Sequence, residues 1–312
     1  MPFEVAPPLR PCPTCGTPVA EAAGLRPCGS RMRGGMADQF KDRVAVITGG
    51  GSGIGAAMAT TFAARGARLV LADIDPAALE RTAGALQATG AEVLTVRTDV
   101  GDPAQVRALA DTAVDRFGAV HVVCNNAGIA LFGPMASATH ADWEYTMRVD
   151  FWGVVHGVET FVPLLLKQGQ GGHIVNTASM AGLVGMQWLG VYCAAKFAVV
   201  GLTESLHREL TPQGIGVSVL CPMIVQTDIN RNSVRNRPEA LRNPGDPVDF
   251  EEPGAEVQGA MKGGIIGVEE VARRVVRAVD RGDLYILTHP EQRGFLRRRA
   301  AKLDAMFEPD RW

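Results

Sequence analysis

The stretch Val44–Gly55, VAVITGGGSGIG, joins a short apolar run to a turn with five glycines in eight residues. An apolar run that ends in glycines is typical of a buried strand, and the segment from Ile54 onward is typical of a helix. Bare backbone in front of a helix N-terminus leaves N–H groups and a partial positive charge available to an anion. Glycines also serve ordinary turns, but this unit of strand, turn and helix suits a pyrophosphate.

The same alternation of strand and helix continues along the chain. Short β-rich runs, most of them apolar on both faces, are separated by amphipathic segments. They span residues 44–48, 68–73, 92–100, 120–128, 173–179, 216–222 and 284–288. Repeated strand–helix alternation predicts an α/β fold with a doubly wound parallel sheet of about seven strands and helices on both faces.

Composition narrows the class of protein. The chain has 312 residues, a net charge of −2 and 46% hydrophobic residues, which fits a globular protein with a sizeable core. No basic stripe indicates a nucleic-acid partner, and no apolar run is long enough to predict a membrane span. Without a secretory signal, the expected location is the cytoplasm. We expect a disordered leader over residues 1–35 and a single catalytic domain over 36–312. The leader would not be made if translation began at Met32 or Met36, and its loss would leave the domain intact.

The six cysteines form two groups. One group, in the leader, has the spacing of a zinc knuckle, but a closed structural site needs four ligands and the next histidine is His121. We therefore predict no metal site. The other group lies in apolar runs and is expected to be buried. The leader holds Cys12, Cys15 and Cys28, and the apolar runs hold Cys124, Cys193 and Cys221.

Three longer segments interrupt the strand–helix rhythm. Residues 139–167 and 189–213 are helical patterns that are apolar on more than one face. Residues 228–267 are rich in Asn, Pro, Gly and charge and predict a long loop. A loop of this length is usually functional, and in a parallel sheet it would lie over the carboxyl ends of the strands, where ligands bind.

An acid at the end of the second strand indicates the kind of nucleotide. Asp73 lies 18 residues after Gly55, where a carboxylate can accept hydrogen bonds from a ribose diol and would repel a 2′-phosphate. No Lys or Arg occupies the glycine turn, and Ile74 follows the acid. The pattern favours NAD over NADP, although an acid at this place could also be a solvated strand end.

A tyrosine and a lysine are spaced for one helix face. Tyr192 and Lys196 stand at i and i+4, so the phenol and the ammonium can enter the same cleft. A nearby ammonium stabilises a phenolate and lowers the pKa of the tyrosine, which makes it a usable base. Ser179 closes the preceding strand and can hold a substrate oxygen. Alone, this spacing also describes an ordinary exposed helix pair.

Together these motifs resemble the short-chain dehydrogenase/reductase family from about residue 40 to 290. The residues that carry the resemblance are TGGGSGIG, Asp73, Asp99-Val100, Asn125-Asn126-Ala127-Gly128, Ser179 and Tyr192-x-x-x-Lys196. The resemblance implies a Rossmann-type sheet, NAD(P) as cofactor and hydride transfer between a carbinol and a carbonyl. It also implies dimers or tetramers built on the two long helices.

The resemblance further implies the site residues. Tyr192 is the general acid/base, Lys196 holds the nicotinamide ribose, and Ser179 positions the substrate oxygen. Asp99 contacts the adenine and Thr227 the nicotinamide carboxamide. The implied cofactor contacts are Thr48, Gly49, Ser52, Gly53, Ile54, Gly55, Asp73, Asp99, Val100, Asn126, Ala127, Gly128, Tyr192, Lys196, Pro222 and Thr227.

Two positions depart from the family pattern. Asp150 stands where the family usually has an asparagine that anchors a water in a proton relay; we expect Asp150 to keep the relay but to change the pH profile. Met223 replaces a glycine that commonly follows the proline, and it narrows the nicotinamide pocket.

The residues expected around the substrate are strongly apolar and include no arginine, although some could belong to the core or to a dimer interface. They are Leu183, Met186, Trp188, Met223 and Ile224, with Val184 and Leu189 beside them. They predict a hydrophobic secondary alcohol or ketone, of alicyclic, terpenoid or steroid type, and NAD then favours alcohol oxidation. The alternatives are an NADPH-dependent ketone reductase, a non-catalytic NAD-binding protein and an epimerase or dehydratase of nucleotide sugars.

Overall fold

The computed structural model describes residues 10–11, 18–19, 40–246 and 264–307. In the leader, Arg10–Pro11 pairs with Pro18–Val19 as two short antiparallel strands. The predictions for Cys12, Cys15 and Cys28, and for a start at Met32 or Met36, fall outside the described residues. Within the described ranges, no group of three or more His, Cys, Asp or Glu side chains could hold a metal ion.

The centre of the molecule is one parallel sheet of seven strands in the order β3-β2-β1-β4-β5-β6-β7. The strands are β1 Val44–Thr48, β2 Arg68–Asp73, β3 Val93–Arg97, β4 Val122–Asn125, β5 Gly172–Thr177, β6 Ile215–Cys221 and β7 Tyr285–Leu287. This confirms the predicted doubly wound sheet. Because the strand order reverses between β1 and β4, a crevice opens at their carboxyl ends.

Helices cover both faces of this sheet. They are α1 Gly53–Ala63, α2 Pro76–Gln87, α3 Pro103–Phe117, α4 His140–Met147, α5 Gly153–Gln168, α6 Gly190–Leu210, α7 Ile229–Arg235, α8 Val268–Arg281 and α9 Arg293–Asp304. Helices α1, α2 and α8 pack on one apolar cluster, and α3, α5 and α6 on the other. The sheet is therefore buried from both sides, as its apolar strands require. Cys124, Cys193 and Cys221 are buried with free thiols, as predicted.

The long helix at residues 140–168 contains an irregularity that the sequence does not announce. Between α4 and α5 the chain makes a π turn, Arg148–Trp152, with Asp150 fully buried inside it. Single π turns often occur at functional sites. By length and composition alone this helix could cross a membrane. No such segment was predicted from the sequence, because no sufficiently long apolar run was found there. Part of this composition serves the core, on which the helix packs through Phe161 and Leu165.

The segment 228–267 is not simply a loop. It begins with α7 and a 3₁₀ turn, Glu239–Leu241, while residues 247–263 are not described. The helix is stabilised by tertiary contacts that its sequence pattern cannot show: Ser233 Oγ accepts from the Ala130 N–H at 2.8 Å, and Tyr145 Oη donates to the Ser233 carbonyl at 3.0 Å. These contacts hold α7 above the crevice.

Candidate active site

The glycine turn uses its bare backbone in two ways. Gly49 and Gly53 have φ of +65° and +53°, a region that L side chains rarely adopt. Gly55 has a different role, because a Cβ there would collide with the Gly49 carbonyl. The first two glycines therefore shape the turn, and the third lets α1 approach it. This leaves the turn open towards Thr227, whose Cγ2 lies 3.2 Å from where a Gly53 Cβ would be.

We expect Gly55→Ala to lower the free energy of unfolding by about 1–3 kcal/mol, because backbone atoms have to move to admit the methyl group. Gly84→Ala is the matched control: it lies inside α2 with open space around it, and should raise stability by about 0.5–1 kcal/mol. Urea denaturation of both variants measures the difference. Equal stability of the two would show that α1 can withdraw from the turn at little cost.

A cavity of about 820 Å³ runs along the carboxyl ends of the strands. Most of the predicted site residues line it, which places the dinucleotide residues and the apolar substrate residues in one space. They are Gly49, Ser52, Gly53, Ile54, Asp73, Asp99, Val100, Asn126, Ala127, Gly128, Ser179, Met186, Trp188, Tyr192, Lys196, Pro222, Met223, Ile224 and Thr227. The volume and the bare glycine cradle fit a dinucleotide.

Four predicted residues do not line this cavity. Gly55 lies in the helix contact, and Asp150 lies beneath the site. Thr48 Oγ1 accepts from the N–H groups of Asn126 and Ala127, so it holds the wall rather than the ligand. Leu183 packs into an inner apolar cluster, because the 3₁₀ turn before it directs its side chain into the core. The structure therefore places Thr48 and Leu183 behind the residues that line the cavity.

Asp73 ends β2 at the glycine turn. Its carboxylate accepts from the N–H groups of Gly51 at 3.0 Å and Asp75 at 3.1 Å. Partial burial raises the pKa of Asp73, and these two hydrogen bonds oppose the rise. The result is an acid fixed in orientation beside the turn, where a ribose would lie.

Tyr192, Lys196 and Ser179 meet as their spacing predicts. The Lys196 Nζ lies 5.5 Å from the centre of the Tyr192 ring and donates to the Thr177 carbonyl at 3.2 Å. Ser179 donates a hydrogen bond to the Pro222 carbonyl at 3.3 Å and also interacts with Tyr192. The phenol and the serine hydroxyl can therefore share one substrate oxygen.

Asp150 forms a buried ion pair with the lysine. Its Oδ1 lies 3.2 Å from the Lys196 Nζ and accepts from the Ile129 N–H at 3.0 Å. Its Oδ2 is buried with no hydrogen-bond partner among the described residues. The contact needs Gly128 to be bare, because a Cβ there would lie 2.9 Å from Oδ1.

A model of the short chain dehydrogenase family matches residues 43–238. This chain belongs to that family. It is 35% identical over 276 residues to a CLA biosynthesis dehydrogenase/reductase of Lactiplantibacillus plantarum, covering 87% of this chain and 96% of that protein. It is 42% identical to the 1-deoxy-11-beta-hydroxypentalenate dehydrogenase of Streptomyces exfoliatus, covering 60% of this chain and 69% of that one.

A solved short-chain dehydrogenase/reductase from Burkholderia phymatum, in complex with NAD, superposes with a TM-score of 0.79 at 43% identity, covering 86% of this chain and 97% of that one. The present protein is thus an NAD(P)-dependent oxidoreductase that acts on CH–OH groups.

In this short-chain dehydrogenase the overall pKa of Tyr192 differs from the expectation based on Lys196 alone. The pKa of Tyr192 is raised, first by burial and then by the Asp150 carboxylate, and these outweigh the lowering effects of Lys196 and Ser179. Burial by itself would lower the pKa of Lys196, but Asp150 and Tyr192 raise it overall. The i, i+4 spacing indicates only that the Lys196 ammonium lies near Tyr192, whereas in the fold this ammonium is also paired with the Asp150 carboxylate.

The cavity of this short-chain dehydrogenase also has walls that the sequence did not predict. Arg148, Ile265, Gln292 and Phe295 also line it. The latter three lie beyond the family match, at the end of the chain, and no local pattern distinguishes them. Trp188 was predicted, but not its backbone: it has φ of +60°, which is strained for a bulky residue and is met here in the wall of a ligand site.

Proposed function

We propose that this enzyme is an NAD-dependent dehydrogenase that oxidises hydrophobic, alicyclic secondary alcohols to ketones. The observation that carries the cofactor choice is the Asp73 carboxylate beside the glycine turn. The cations among the cavity-lining residues are Arg148 and Lys196, and each is already ion-paired, with Asp99 and Asp150 respectively. A 2′-phosphate would therefore meet a fixed negative charge and, among the lining residues that the structure describes, no unengaged cation.

The substrate class is supported by the far part of the cavity. Met186, Trp188, Leu189, Met223 and Ile224 form a predominantly apolar wall, and Phe295 adds an aromatic ring. Such a wall favours ring systems over sugar phosphates, which need charged contacts. The Streptomyces relative is named for a hydroxypentalenate, and the Burkholderia structure contains NAD. Both agree with this proposal.

The residues act in a defined order in the proposed oxidation. Ser179 donates a hydrogen bond to the alcohol oxygen, and Tyr192 as phenolate accepts the hydroxyl proton. The bound nicotinamide supplies the hydride acceptor. Lys196, paired with Asp150, holds positive charge beside the phenol and stabilises the phenolate. The carbinol thereby loses a proton and a hydride and becomes a ketone.

Fluorescence titration of the purified chain with NADH and NADPH tests the cofactor choice. We expect NADH to bind at least about tenfold more tightly, because a like charge at the 2′ position is repelled. Asp73→Ser should weaken NADH binding and reduce the preference for NADH over NADPH. Asp115 is an exposed acid on α3, and Asp115→Ser should change neither quantity. Tighter binding of NADPH by the wild type would contradict the proposal and favour a ketone reductase.

The substrate class is tested with NAD and a panel of alcohols. Cyclic secondary alcohols should be oxidised with higher kcat/KM than open-chain alcohols of equal carbon number or polyols. Binding of NADH without oxidation of any member, together with no reduction of the matching ketones, would favour the non-catalytic alternative.

We also propose a homodimer or homotetramer built on the long helix. Trp152 and Leu166 on that helix are 47% and 39% exposed, which is a surface that a second copy would cover. Light scattering of the purified protein tests it. A single domain over 36–312 and a cytoplasmic location remain predictions.

A further inference from the structure

The π turn of the long helix packs three residues onto one turn of the nucleotide site. Arg148 pairs with Asp99, with the guanidinium Nη2 2.7 Å from the carboxylate Oδ2. Gly153 lies so close to Val100 that a Cβ would be 2.7 Å from its Cγ2, and the His156 Nδ1 donates to the Val100 carbonyl at 2.8 Å. A π turn bonds residues five apart, which brings positions 148 and 153 towards the same side.

The turn itself is built to receive the arginine. Asp99 Oδ1 accepts from the Gly101 N–H at 2.9 Å, which fixes the carboxylate. The arginine side chain lies across Gly101: a Cβ there would be 2.7–2.8 Å from Arg148 Cγ, Cζ and Nε. One edge of the guanidinium is therefore held by Asp99, and one side of the chain is covered by bare backbone.

We infer that Arg148 is the platform on which the adenine of the dinucleotide stacks. The residue lines the cavity and its side chain is 32% exposed, so the surface opposite Gly101 is the one a ligand can reach. A planar guanidinium held at one edge is suited to stack on an aromatic ring. Ile74, Val100 and Val149 line the same cavity and can supply apolar contacts for a base, and Val100 and Val149 are the chain neighbours of Asp99 and Arg148.

The geometry favours a base over a phosphate at this place. The Asp99 carboxylate, 19% exposed, neutralises the arginine and would repel a phosphate brought to the same edge. Stacking uses the face of the guanidinium and leaves its pair with Asp99 intact. The role holds for NAD and NADP alike, so it does not depend on which of the two the enzyme prefers.

Binding of ADP-ribose, which carries the adenine but no nicotinamide, tests the inference by calorimetry. We expect Arg148→Met to raise the Kd by about tenfold, since a stacked cation is worth about 1–2 kcal/mol at a partly desolvated site. Arg148→Lys keeps the charge beside Asp99 but loses the plane, and should bind nearly as weakly as the methionine variant. The hypochromic change of the adenine absorption band on binding should be strong in the wild type and reduced in both variants.

Arg116→Met is the control, because Arg116 is exposed and pairs only loosely with Glu92, at 3.9 Å. It should bind ADP-ribose as the wild type does. Nicotinamide mononucleotide, which lacks adenine, should bind equally to all variants. Wild-type affinity in Arg148→Lys would overturn the stacking role and leave only the ion pair. A loss confined to 2′-phospho-ADP-ribose would overturn it in favour of a phosphate contact.

Discussion

Tyr192→Phe is expected to reduce alcohol turnover by about 10³-fold while leaving NADH binding nearly unchanged, because only the proton acceptor is removed. The chain has three tyrosines, so each alternative can be assessed. Burial raises the pKa of Tyr145 far above its usual range, and a hydrogen bond with Glu204 raises that of Tyr285 to about 12. Each of these two hydroxyls already donates elsewhere, that of Tyr145 to the Ser233 carbonyl and that of Tyr285 to Glu204. The Tyr192 hydroxyl instead interacts with Ser179 and Lys196. Steady-state kinetics with a cyclic alcohol and NADH titration measure the two quantities.

Tyr145→Phe is the matched control for this experiment. Its hydroxyl donates to the Ser233 carbonyl and so holds α7 over the cavity, whereas the Tyr192 hydroxyl interacts with Ser179. This variant should raise the KM for NAD and retain turnover at saturating cofactor. If Tyr192→Phe kept wild-type turnover, or if Tyr145→Phe lost it, the assignment of the base would be wrong.

Asp150→Asn is expected to move the pH profile of alcohol oxidation to lower pH. The sign follows from the raised pKa of Tyr192, to which the Asp150 carboxylate contributes. Oxidation needs the phenolate, so the rate rises as pH passes upward through that pKa. Removing the carboxylate lowers the pKa, and the rising limb then appears at lower pH. The log of kcat/KM plotted against pH measures the shift.

Asparagine preserves the shape of the site, because it can still accept from the Ile129 N–H and from Lys196. Asp150→Ala is the comparison: it removes the acceptor oxygen as well as the charge, so the buried ammonium and the Ile129 N–H both lose a partner, and it should destabilise the protein by about 3 kcal/mol or more. A thermal unfolding experiment separates this loss from the pH effect. An unchanged pH profile in Asp150→Asn would mean that the carboxylate does not influence the phenol.

Of the two ion pairs in the site, Asp150 with Lys196 could be anticipated in part from the sequence, and Arg148 with Asp99 could not. Asp150 could be singled out because it replaces a familiar asparagine, and a charge near Lys196 could be expected. The lowering effect of Lys196 on the pKa of Tyr192 was expected and is present in the fold, but burial, which local patterns do not show, outweighs it. Arg148 was missed altogether, since one arginine in a helix has no distinguishing neighbour in the sequence.

The sequence by itself determined the elements and their order. Apolar runs, glycines and prolines are local signals, so seven strands, the glycine turn and the Tyr192–Lys196 face could be placed from local patterns alone. The tertiary structure decided the properties that depend on distant residues: the π turn, the Asp150–Lys196 and Arg148–Asp99 pairs, the cavity wall at Phe295 and the inward direction of Leu183. The physical reason is that desolvation and ion pairing depend on which groups pack around a side chain, and residues far apart in the chain supply those groups.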